Sequence, residues 1–224
     1  MIQFRFTFGL LLVAPLITAD PFNPLQWLRA NGQWYPGPDI SAASQEVPGG
    51  CVVDQVAIAS RHGSRYPDPG AYSEWLALEA KTAIWDNIYL PPILKRLQKY
   101  VTGVNLTTSD ISIMPYLCGF ETQITGKLSP FCDIFTESEF KQYEYRQDLR
   151  YYYGTGPGTD LPSTLMLPYL NATATLFLNG PGHTYSTGFT PPPIVVSFTH
   201  DNQLNELATA IGVFNTTGPL PPNK

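Results

Sequence analysis

A run of apolar and small residues, Val52 to Ser60 (VVDQVAIAS), ends directly on Arg61-His62-Gly63-Ser64-Arg65-Tyr66-Pro67. A second run, Ile194 to Thr199 (IVVSFT), ends directly on His200-Asp201. Short runs of this kind, bounded by Gly and Pro, read as buried strands. In an open α/β sheet the crevice outside the carboxyl ends of parallel strands is where ligands bind. The chain has three histidines, and two of them stand at these two strand ends. If the strands lie parallel in one sheet, both dipeptides reach the same edge.

The residue types at that edge suit phosphoryl chemistry. Arginine forks match phosphate oxygens, and a fixed imidazole can act as a nucleophile. His62 is the expected nucleophile, with Arg61 and Arg65 clamping the oxygens on which charge develops. Gly63 lets the backbone approach closely. His200 adds a further phosphate ligand, and Asp201 is the expected proton donor to the leaving oxygen. That role favours acid conditions, because the carboxyl must be protonated during attack. A plainer reading has His200-Asp201 merely capping the next helix, Asp201 being a good N-cap. The third histidine, His183, lies in a Gly-rich loop and is expected at the surface.

The rest of the chain sets the context. Arg5, the apolar stretch Phe6 to Ile17 and Ala19 read as a secretory signal over residues 1–19. Asn105, Asn171 and Asn215 each open an Asn-X-Thr sequon, which fits secretion and glycosylation. Of three cysteines, Cys118 and Cys132 bracket a short segment and are the expected disulfide, leaving Cys51 over. Thirteen basic residues face 18 acidic ones, a net charge of −5. With no basic run, a nucleic-acid partner is not expected. Beyond the signal, no stretch is long and apolar enough to span a membrane.

The order of elements follows from local signals. Residues 20–50 are rich in Pro, Gly and Ser and read as an extended arm. Ala71 to Ile88 reads as a helix stopped by Pro91-Pro92, which start a short helix through Tyr100. Ile111 to Leu117 reads as a strand or a turn. Thr136-Glu-Ser-Glu139 is a capping box opening a helix over Glu137 to Tyr153. Leu161 to Asn179 reads as one further helix, and Gln203 to Ile211 as another after the second strand. The tyrosines at 143, 145 and 151–153 read as core and interface packing.

Arg61-His62-Gly63-x-Arg65-x-Pro67 resembles the signature of the histidine acid phosphatase family, and His200-Asp201 resembles its second motif. The segments GCVVDQVAIASRHGSRYP and FCDIFTESEFKQYEYRQDLRYYYGTGPG are similar to the secreted fungal branch of phytases and broad acid phosphatases. The resemblance covers most of residues 50–215. It implies an α/β fold with a phosphoglycerate-mutase-like sheet over residues 51–224 and flanking helices. Residues 115–190 would be a reduced, mostly helical insert. It also implies His62 as nucleophile, Arg61, Arg65 and His200 as phosphate ligands and Asp201 as proton donor. No metal and no organic cofactor are implied, and the substrate would be a small phosphate monoester, with phytate a candidate.

The chain departs from the family pattern in two places. The family has a further phosphate-binding arginine after the first motif, whereas no arginine stands between Arg96 and Arg146. Family members also continue further beyond the His-Asp pair, and Cys51 resembles a family cysteine whose partner lies in that tail. A shortened chain is therefore expected. Two functional expectations stay open: a secreted acid phosphomonoesterase, or a catalytically impaired homologue that binds phosphorylated ligands or is inactive.

Overall fold

The computed structural model describes residues 22–28, 32, 46–62, 79–213 and 218–223. The two apolar runs form strands β1 (Val56–Arg61) and β2 (Ile194–Thr199). They pair in parallel, with Val56 opposite Ile194 and Arg61 opposite Thr199. One backbone bond extends the ladder at each end. The Val56 amide donates to Pro193 O at 2.8 Å, and the His62 amide donates to Thr199 O at 2.9 Å. Arg61-His62 and His200-Asp201 therefore emerge at the same edge.

Neither strand is fully buried, contrary to the expectation from their apolar runs. Residues 51–54 are exposed and precede the strand, and β2 alternates between exposed and half-buried positions. Ile194, Val196 and Phe198 are 59%, 46% and 75% exposed. Ile58, also exposed, pairs with Val196 on that face. The helix that follows β2 packs on β1, and β2 shows the alternation of a half-covered sheet.

The connection between the strands holds five α-helices among the described residues. Helix α1 (Glu79–Leu97) passes through Pro91 and Pro92 without ending. Tyr89, Leu90, Ile93 and Leu97 are buried on both sides of the prolines. Their packing outweighs the lost amide bonds, where proline alone had suggested a stop. Helix α2 (Thr108–Thr125) replaces the expected strand or turn. Asp110 N–H donates to Thr107 Oγ1 at 3.2 Å and Thr107 N–H donates to Asp110 Oδ2 at 2.7 Å. This reciprocal cap satisfies two donors at the helix start. Ile111, Pro115, Cys118, Gly119 and Thr122 are buried at helical spacing, and Gly126 ends the helix with φ 67°.

Helix α3 (Glu137–Thr155) carries the capping box read from sequence. Thr136 N–H donates to Glu139 Oε2 at 2.8 Å, and Glu139 N–H donates to Thr136 Oγ1 at 3.3 Å. Glu139 also accepts from Arg96 Nε at 2.8 Å and Nη2 at 2.6 Å, which docks α3 on α1. The helix expected over Leu161 to Asn179 is broken into α4 (Leu161–Leu165) and α5 (Leu167–Asn179). The break falls at Met166, just before Pro168, which has no amide to continue the ladder. Helix α6 (Asp201–Ala210) follows β2 directly.

The core lies among the helices rather than on the sheet. Trp85, Tyr89 and Ile93 of α1, Ile111 and Cys118 of α2, and Phe140, Tyr143 and Leu149 of α3 form one buried cluster. Cys118 and Cys132 are disulfide-bonded, tying α2 to the 3-10 turn Pro130–Asp133, while Cys51 is an exposed free thiol. Within the stretch read as an extended arm, Pro24–Trp27 is instead a 3-10 turn capped by Asn23. It places Leu28, 0% exposed, in the core. The signal reading over residues 1–19 lies outside the described residues.

Candidate active site

Parallel pairing puts the candidate chemistry in one place. The rings of His62 and His200 meet edge to face with centroids 4.9 Å apart. His62 is half-buried and His200 exposed. Arg61 Nε lies 3.6 Å from Asp201 Oδ1. His200 occupies the N-cap position of α6, with no side-chain cap bond, and Asp201 is the first helical residue. The capping role considered for Asp201 is thus displaced by one residue, because the extended strand conformation persists through His200. A carboxylate in the first turn of a helix is favoured by the unsatisfied amides there.

A second wall comes from the end of α3. The Tyr151 hydroxyl donates a hydrogen bond to Asp201 Oδ2. Arg150 Nη1 donates to the Tyr151 hydroxyl at 3.4 Å, and the guanidinium carbon lies 4.8 Å from the Tyr151 ring centroid. Asn205 of α6 donates from Nδ2 to Tyr151 O at 3.0 Å and to Thr155 Oγ1 at 2.9 Å. These bonds fasten the last turns of α3 to the helix that begins with Asp201.

The electrostatics follow from these neighbours. Partial burial works against ionisation of Asp201. The Tyr151 hydroxyl, Arg61, the residue's own backbone amide and Arg150 together outweigh it, and hold the carboxyl below its ordinary range. Burial pushes the Tyr151 hydroxyl well above the ordinary phenol value. The neighbouring Arg150 opposes that shift and the Asp201 carboxylate reinforces it. The resting arrangement is therefore an ionised Asp201 held by a neutral phenol and flanked by guanidinium groups.

Arg61, His62, His200 and Asp201 thus share one edge. Arg65 and Gly63 lie outside the described residues. Asn105 and Asn171 are exposed, and Asn215 lies outside the described residues. His183 is exposed, its ring against Tyr185 at 4.9 Å. Sequence reasoning missed Arg150, Tyr151 and Asn205. The only signal was a run of three tyrosines after Arg150 near the end of a capped helix. Its meaning depends on α3 docking against α6. Among the described residues, no group of three or more His, Cys, Asp and Glu side chains could hold a metal ion, and no helix is long and apolar enough to cross a membrane.

A profile of the histidine phosphatase superfamily (branch 2) matches residues 77–224. That match contains His200-Asp201 and begins after Arg61-His62. The chain is 37% identical over 150 residues to the thiamine-repressible acid phosphatase pho4 of Schizosaccharomyces pombe, covering 65% of this chain and 31% of that protein. It is 30% identical over 186 residues to phytase A of Aspergillus awamori, covering 75% of this chain and 40% of the relative. Among solved structures, the crystal structure of the phytase from D. castellii aligns with a TM-score of 0.54 and 34% identity. That alignment covers 66% of this chain and 31% of that one. The chain spans about a third of the length of the relatives it matches. By the matched residues and these likenesses, the chain belongs to the histidine phosphatase superfamily (branch 2), in its fungal and yeast acid phosphatase and phytase group.

Proposed function

We propose that the protein is a secreted acid phosphomonoesterase that works through a covalent phosphohistidine. An imidazole nitrogen of His62 attacks the phosphorus of a monoester, the ester P–O bond breaks, and Asp201 gives its proton to the leaving oxygen. Water then attacks the phosphohistidine, loses a proton to the Asp201 carboxylate and releases inorganic phosphate. Arg61, Arg65 and His200 bind the phosphoryl oxygens and stabilise the charge that develops on them. The observation that carries this reading is the meeting of Arg61-His62 and His200-Asp201 at one edge of a parallel pair. Phytate is the candidate substrate suggested by the phytase A relatives, and small phosphate monoesters the broader class.

A second reading, binding of phosphorylated ligands without turnover, is favoured by the absence of arginine between Arg96 and Arg146. Helix α2 lies within that stretch. The two readings separate in one assay. Phosphate release from p-nitrophenyl phosphate and from phytate is measured in acid for the chain and for His62→Ala. The proposal expects release that the substitution abolishes. Equal rates for the two proteins would refute the phosphohistidine, and binding without release would support the second reading.

A further inference from the structure

The mechanism above makes no use of Tyr151, yet this residue is fixed at both ends. Its backbone carbonyl accepts from Asn205 Nδ2 at 3.0 Å. Its ring lies beside the Arg150 guanidinium, whose Nη1 donates to the hydroxyl at 3.4 Å. With a donor already aimed at its oxygen, the phenol directs its single O–H to Asp201 Oδ2. The other carboxylate oxygen, Oδ1, faces Arg61 Nε at 3.6 Å. The geometry points to Tyr151 as a positioning residue for Asp201: its hydroxyl holds Oδ2, leaving Oδ1, on the Arg61 side, to take up and deliver a proton.

The phenol itself is not the acid, because burial holds its proton well beyond the pH range in which carboxylates titrate. It acts by stabilising the carboxylate form, so Asp201 gains a proton only at lower pH than it would without Tyr151. Among the described residues, the groups that act on Asp201 are Tyr151 and Arg150 on α3 and Arg61 at the end of β1, with His62 and His200 at the same strand edge and Glu206 further along its own helix. Helix α4, which packs on α6, has no titratable side chain. The role in proton delivery rests on the phosphomonoesterase reading, whereas the coupling of hydroxyl to carboxylate does not.

The experiment follows the Asp201 side-chain carboxyl by carbon-13 NMR through an acid titration of the full chain, with Asp201→Asn assigning the signal. Three proteins are compared: the chain itself, Tyr151→Phe, and the chain with 3-fluorotyrosine at position 151. Loss of the hydroxyl is expected to raise the Asp201 midpoint. The more acidic fluorophenol, a stronger donor, is expected to lower it. The alkaline limb of the pH dependence of kcat/KM on glycerol 2-phosphate, whose alkoxide leaving group needs a proton, should move in the same two directions. Thermal melting checks that Tyr151→Phe is folded, and the fluorotyrosine arm decides alone if it is not. Unchanged midpoints overturn the proposal. Shifted midpoints with an unmoved limb overturn the role in proton delivery. Shifted midpoints in a protein without turnover defeat the phosphomonoesterase reading and leave the coupling standing.

Discussion

Arg61 Nε stands 3.6 Å from Asp201 Oδ1, joining the end of the first strand to the start of the helix that follows the second. Together with the Tyr151 hydroxyl and Arg150, Arg61 holds the carboxyl in its charged form at rest. A phosphate monoester drawn to Arg61 would bring negative charge beside the same oxygen and favour its protonation. Substrate binding would thus prepare the acid that the proposed leaving-group step needs.

This relationship has a consequence for stability. Asp201 binds its proton less readily in the folded chain than a free carboxyl does, because Tyr151, Arg61 and Arg150 outweigh the opposing effect of burial. A group lowered in this way contributes stability above the unfolded value of about 3.9, and that contribution is lost as pH falls through the folded value. The melting temperature of the chain is therefore expected to exceed that of Asp201→Asn most clearly above about pH 4. The gap should close on further acidification. A gap of constant size across that range would contradict the assigned charge state.

The start of α3 provides a test of local signals against tertiary ones. Thr136→Ala removes one capping acceptor and is expected to cost about 1 kcal/mol. Glu139→Ala removes the reciprocal cap and both Arg96 bonds. It is expected to cost roughly 2 kcal/mol or more, as loss of charge-assisted hydrogen bonds does. Urea denaturation of both variants checks the order. A smaller loss for Glu139→Ala would show that Arg96 contributes nothing to docking α3 on α1.

The legibility of the chain divides along the same line. Strand β2 and the cap of α3 could be read because β-branched residues and a Thr-x-x-Glu box act locally. Helix α2 was missed because its box uses Asp110, and because Pro115 and a weakly patterned apolar face hide its period. Proline also misled at Pro91-Pro92, where buried neighbours keep α1 continuous. The strand ends were legible as a site because each dipeptide abuts an apolar run. Tyr151 was not, since it lies fifty residues from Asp201 and reaches it only through the docking of α3 on α6.

Two phenylalanines test where the core sits. Phe140, fully buried in α3, is expected to cost about 3–5 kcal/mol on truncation to Ala. Phe198 on β2 is 75% exposed, and its truncation is expected to change stability by less than about 0.5 kcal/mol. Comparable losses at the two positions would mean that the exposed sheet face is covered in solution.

The disulfide between Cys118 and Cys132 closes a short loop with a sequence separation of 14. Replacing both cysteines by serine is expected to lower unfolding free energy by about 3 kcal/mol, the loop-entropy value for such a ring. Substituting the exposed Cys51 by serine should leave stability within about 0.5 kcal/mol. Denaturation of the two variants side by side measures the contrast, and a larger loss at Cys51 would reverse it.

The central claim is that His62 accepts a phosphoryl group at the shared strand edge. Its direct measurement uses Asp201→Asn mixed with p-nitrophenyl phosphate, whose good leaving group needs little protonation. The reaction is quenched in alkali to preserve a phosphohistidine and analysed by mass spectrometry of the peptide containing His62. The account predicts one added phosphoryl group on His62, absent when His62→Ala is treated in the same way. A protein that releases nitrophenol with no phosphoryl group on His62, or with the group on another residue, would contradict it.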